Sequence, residues 1–101
     1  MEDPHCKFED LLKAKRDEVL RVAEANGAQR VRVFGSVVRG EARPNSDIDV
    51  LVDLEPGRSL LDLVAIKQEL EDLLGRTVDV VTEAGISPYI REQILREAVP
   101  V

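Results

Sequence analysis

VFGSVVRGEARPNSDIDVLVD (residues 33–53) sets a Gly-Ser pair ten residues ahead of an Asp-Ile-Asp triplet. The triplet opens a run, DIDVLVDL (47–54), whose alternation reads as a strand. Ile48, Val50 and Val52 fall on one face, and Asp47, Asp49, Leu51 and Asp53 fall on the other. Upstream, RVRVF (30–34) has the same β-branched alternation, and Gly35 and Ser36 end it. Between the two strands SVVRGEA reads as a short helix, followed by the turn residues Arg43, Pro44 and Asn45.

Working outward, Lys7 to Asn26 carries Phe8, Leu12, Val19 and Ala23 at helical spacing and stops at Gly27. Its polar middle, KAKRDE, leaves one helix or two open. After the loop EPGRS, Ser59 caps a helix that runs to Leu74, with Asp62 completing a Ser-x-x-acid box and Gly75 closing it. Leu60, Leu63, Val64, Ile66, Leu70, Leu73 and Leu74 form its expected apolar face. TVDVVT (77–82) reads as a third strand with Asp79 at its centre. Ser87 and Pro88 then open a last helix, held down by Tyr89, Ile90, Ile94 and Leu95. The expected order is α-β-α-β-α-β-α, an α/β (α+β) sandwich around a small three-stranded mixed sheet.

At 101 residues the chain is expected to form a single domain, 1–101, because a second core would not fit. With 44% hydrophobic and 34% charged residues, it has a globular composition rather than a disordered one. The formal charge of −6 and the lack of any Lys/Arg-rich run argue against stable nucleic-acid binding. Cys6 is the sole cysteine, which points to a reducing compartment. The stretch MEDPHCKFED has no basic n-region or apolar h-region, and no apolar run nears the roughly 20 residues of a membrane span. A cytoplasmic protein is expected.

The acids carry a cost. Asp47 and Asp49 share a strand face about 6.6 Å apart, and Asp79 faces them if the third strand lies beside the second. Three converging carboxylates repel, and one would be pushed toward protonation unless a divalent cation relieved it. Oxygen-rich sites of this kind suit Mg²⁺ or Mn²⁺, which also bind phosphate oxygens. Taken singly, each acid is ordinary: Asp79 could point to water and Asp47 could cap a turn. Together with the Gly-Ser pair, they break local sequence rules in the way functional sites do. Gly35 permits a tight turn or a ligand's close approach, and Ser36 would open a short helix, where N–H groups favour an anion. Phosphate beside metal describes a nucleoside triphosphate site. His5 and Cys6 receive no metal role.

On these residues the chain resembles the DNA polymerase β-like nucleotidyltransferases. Gly35-Ser36, Asp47-Ile48-Asp49 and Asp79 match that superfamily's signature, and the likeness runs from about Arg30 to the tail SPYIREQILREAVPV. The small size and the wording of residues 35–53 are similar to minimal nucleotidyltransferases that act as antitoxins beside a HEPN-domain toxin. The resemblance implies a nucleotidyltransferase-like fold and transfer of AMP from ATP to a protein hydroxyl. It implies that Asp47, Asp49 and Asp79 are the catalytic acids and hold Mg²⁺ (or Mn²⁺). Gly35 and Ser36 would bind the triphosphate, with Arg39 and Arg43 as candidates to neutralise its charge. Asp53 is expected at an exposed strand end and Tyr89 as a packed aromatic on the last helix, with acceptance of AMP in a self-modification as the alternative for the Tyr89 hydroxyl. The expected partner is the HEPN-domain toxin, in a hetero-oligomer. Two rival readings are an antitoxin that masks its toxin by contact alone and an enzyme that adds nucleotides to RNA.

Overall fold

The computed structural model describes residues 13–40 and 47–101. The elements run α1 (Arg16–Ala25), β1 (Ala28–Phe34), α2 (Ser36–Arg39), β2 (Ile48–Leu54), α3 (Leu60–Leu74) and β3 (Val78–Thr82). A 3-10 turn (Glu83–Gly85), α4 (Pro88–Glu97) and β4 (Val99–Pro100) complete the chain. The strands form one mixed sheet in the order β3-β2-β1-β4. β1 pairs antiparallel with β2 and β4, and β2 pairs parallel with β3. Parallel neighbours need a crossover between them, which α3 supplies.

The alternation in β2 explains why it lies inside. Ile48, Val50 and Val52 are buried against Val19 and Ala23 of α1 and Ile66, Leu70 and Leu74 of α3. Leu51 faces the other way into a second cluster with Phe34, Ile86 and Ile94, which seats α4. The sheet thus has α1 and α3 on one face and α4 on the other. Among the described residues no helix is long and apolar enough to cross a membrane.

The helix limits follow the expected chemistry. Ser59 Oγ accepts a bond from Leu61 N at 3.2 Å while Asp62 Oδ2 accepts one from Ser59 N at 2.9 Å, the reciprocal capping box. Gly75 closes α3 in the left-handed conformation, φ +68. Ser87 caps α4, with Pro88 in its first turn.

Four expectations need correction. The sheet has four strands rather than three: β4 is two residues long and contains a proline, below any strand signature, yet it pairs with Arg32 and Val33 at the sheet edge. Leu60 (77% exposed) and Val64 do not belong to the buried face of α3, which narrows to the i, i+4 line of Ile66, Leu70 and Leu74. Tyr89 is 97% exposed and Ile90 is exposed too, so the first turn of α4 overhangs the core and Ile94 and Leu95 do the packing. Asp53 is a half-buried partner of Arg30 and Arg32, at 3.5 and 3.8 Å, rather than a solvated strand end. Arg30 reaches Asp53 from a bulge in β1, where it holds φ +52. A turn at Lys15 separates helical residues 13–14 from α1, which begins at Arg16, so the polar stretch KAKRDE contains a break. Phe8, Leu12 and the turn at Arg43, Pro44 and Asn45 lie outside the described residues, as do His5 and Cys6.

Candidate active site

Strand register brings the acids together. Asp49 pairs with Asp79 across the parallel β2–β3 ladder, so both side chains leave the same face from strands about 4.8 Å apart. Asp47 immediately precedes β2, where Ile48 N donates to Thr77 O at 2.9 Å and locks the start of the ladder. Asp49 is half-buried, and its carboxyl is pushed above the ordinary carboxylate range. Burial is the main cause, followed by the charges of Asp79 and Asp47. Arg39 pulls the other way, and Glu97 adds to the repulsion.

Asp47 and Asp79 extend into solvent, and among the described residues no three His, Cys, Asp or Glu side chains are drawn into a ready coordination set. The donor set nevertheless fits a hard cation: it is carboxylate oxygen throughout, two of its members are in register, and the third lies two residues along.

The Gly35 turn abuts these acids. Phe34 pairs with Asp49, and Gly35, at φ +79, follows it. A Cβ at Gly35 would lie 2.2 Å from Asp49 Oδ2, so glycine is required both for the left-handed backbone and for the carboxylate's approach. Ser36 opens α2 as expected, but α2 is a single turn of four residues. Too short for a substantial macrodipole, it would meet an anion through individual N–H and hydroxyl groups.

A residue that the sequence did not single out completes the turn. Glu97, the last residue of α4, accepts the Gly35 N–H on Oε2 at 3.1 Å and Arg39 Nη1 on Oε1 at 2.7 Å. Its partners lie 62 and 58 positions away in the chain, and no local pattern marks it out from other acids at helix ends. Arg39 therefore sits between Glu97, which it contacts, and Asp49, whose carboxyl feels its charge. Gly35, Ser36, Arg39, Asp49 and Asp79 are brought to one end of the β1–β2–β3 sheet, whereas Asp53 is committed to arginines toward the other end and Tyr89 stands apart on α4. The 540 Å³ hollow along α4, lined by Tyr89, Glu92, Gln93, Arg96 and Glu97, contains none of the three acids.

Comparison with known proteins gives this arrangement a lineage. The nucleotidyltransferase domain model matches residues 6–101. A Methanocaldococcus jannaschii protein carrying a provisional protein adenylyltransferase name is 45% identical over 84 residues, 83% of this chain and 90% of the relative. The protein adenylyltransferase MntA of Thermococcus cleftensis is 41% identical over 95 residues, covering 94% and 93%. A solved structure described provisionally as a minimal nucleotidyltransferase is 55% identical with a TM-score of 0.82, covering 91% of this chain and 94% of that one. A toxin–antitoxin structure with AMP-PNP shares the fold at 23% identity and a TM-score of 0.71, covering 83% and 69%. The matched model spans both acid-bearing strands and the Gly35-Ser36 turn that precedes them, and the chain belongs to the nucleotidyltransferase domain family.

Proposed function

We propose that this chain moves AMP from ATP to a hydroxyl of a partner protein, and that the partner is a HEPN-domain toxin which the modification neutralises. The observation that carries the reading is the in-register pair of Asp49 and Asp79 next to the Gly35-Ser36 turn. Support for a protein acceptor comes from the adenylyltransferase names of the relatives, and for a toxin partner from the toxin–antitoxin structures that share the fold.

In this reading Asp47, Asp49 and Asp79 hold Mg²⁺ (or Mn²⁺), which would neutralise phosphate charge and lower the cost of ionising Asp49. Gly35 gives the triphosphate close access to the backbone, the Ser36 N–H and hydroxyl donate to its oxygens, and Arg39 offsets its charge. The acceptor hydroxyl oxygen attacks the α-phosphorus and forms a new P–O bond. The bond from that phosphorus to its bridging oxygen breaks, and pyrophosphate leaves with the electron pair. Asp79, which is exposed, would receive the hydroxyl proton. The reaction belongs in the cytoplasm, consistent with the lone Cys6.

Labelled ATP tests the reading. With Mg²⁺ and the toxin present, label on the α-phosphate is expected to pass to the toxin, and label on the γ-phosphate is not. Transfer of the γ-label would make the chain a kinase, and transfer of neither would refute the enzymatic reading.

A further inference from the structure

The one-turn helix that carries Ser36 cannot hold its own shape. Among the described residues, bonds from Val38 N and Arg39 N to Gly35 O, both at 3.1 Å, close this single turn, and isolated helical turns are unstable in water. Glu97 grips both of its ends, Gly35 at one and Arg39 at the other, with a side chain only 14% exposed. Glu97 is itself fixed on either side in sequence, by buried Ile94 and by the pairing of Val99 with Val33. Any acceptor oxygen would satisfy the Gly35 N–H. A carboxylate, with two acceptor oxygens and no donor, serves the Arg39 guanidinium at the same time and meets its charge. The chain keeps that charge here although it adds to the repulsion on Asp49.

We propose that Glu97 is the positioning residue of the nucleotide site, fixing the Gly35-Ser36 turn and the Arg39 guanidinium in their phosphate-binding arrangement before ATP arrives. The proposal rests on the nucleotidyltransferase reading above. Glu97 touches no substrate, and acts through Gly35 and Arg39.

Two variants of the full chain test it. Glu97→Gln keeps the volume but retains one acceptor oxygen and turns an amide N–H₂ toward the remaining donor. Glu97→Ala removes both contacts. Affinity for a non-transferable ATP analogue with Mg²⁺ is expected to fall about tenfold or more in Glu97→Gln, with the melting temperature within a few degrees of the parent. In transfer assays KM for ATP should rise by a similar factor while kcat changes less. Arg39→Ala added to Glu97→Gln should cost much less than the sum of the two single changes, since both disrupt one contact. Unchanged ATP affinity would overturn the proposal. Tighter binding would also overturn it, and would make Glu97 a competitor of phosphate for Arg39. The Gly35 amide supplies a readout that needs no nucleotide. Its hydrogen exchange should quicken in Glu97→Ala while exchange in β2 stays slow, and an unaltered rate would defeat the clamp itself. A parent protein that bound no ATP would instead defeat the nucleotide reading, leaving the amide to decide whether the clamp exists.

Discussion

Asp49 concentrates the conflict between folding and function at a single residue. Its raised pKa means that the folded state disfavours the ionised carboxyl. The stability it contributes is present below the unfolded pKa and is lost as pH rises through the folded one. Asp49→Asn is therefore expected to melt at or above the parent temperature at neutral pH without metal, with the advantage shrinking as pH falls, while transfer is abolished. Melts of both proteins across mildly acidic to neutral pH check this, and a variant less stable than the parent at neutral pH contradicts it. Gly35 bears the opposite burden. Gly35→Ala must adopt φ +79 and push against Asp49 Oδ2, which costs about 1–2 kcal/mol for the backbone alone. Chemical denaturation measures that loss, and an unchanged stability would mean the turn is not as described. These residues were legible in the sequence because their chemistry is local: Gly before Ser, and acids alternating with valines. Glu97 was not, since its meaning lies in two donors 62 and 58 positions upstream. Tyr89 was misread because an apolar residue in a helix's first turn packs only if the sheet extends beneath it.

At the scale of elements, α3 shows how a pattern can be right in kind and too generous in extent. Its capping box and left-handed Gly75 were written in the sequence and formed as expected. Its apolar residues outnumber those it buries, because Leu60 and Leu61 (79% exposed) precede the part of the helix that crosses the sheet. Two substitutions separate these classes. Ile66→Ala should cost about 2–5 kcal/mol, whereas Leu61→Ala should stay within about 0.5 kcal/mol. Urea unfolding reads both, and a comparable loss in the two would place Leu61 in a contact the described residues do not make. Strand β4 was hidden for a different reason. Two residues with a proline carry no periodicity, and only the edge of β1 makes them a strand. The bulge at Arg30 was equally silent, since RVRVF alternates as though it were regular.

In the whole molecule, these elements set two in-register acids beside a glycine turn clamped from the last helix. The three main strands were legible from their own alternation, and α3 from its apolar spacing and its caps. The pairing of β2 with β3 was a condition of the sequence argument, and the register is what satisfies it. A protein built around mutually repelling carboxylates should gain stability from the ligands that relieve them. Saturating ATP and Mg²⁺ together should raise the melting midpoint, corresponding to about 2.7 kcal/mol at a hundredfold excess over Kd. An unmoved midpoint would contradict the metal–nucleotide site. Catalysis in the presence of the partner is the central claim, and intact-mass spectrometry of the toxin tests it most directly. After incubation with this chain, ATP and Mg²⁺, the toxin should gain the mass of one or more AMP units. With Asp79→Asn the gain should vanish while the complex still forms. A toxin silenced without any change in mass, by the parent and by an Asp47→Asn, Asp49→Asn, Asp79→Asn triple variant alike, would contradict the account and make the chain an antitoxin that acts by contact alone.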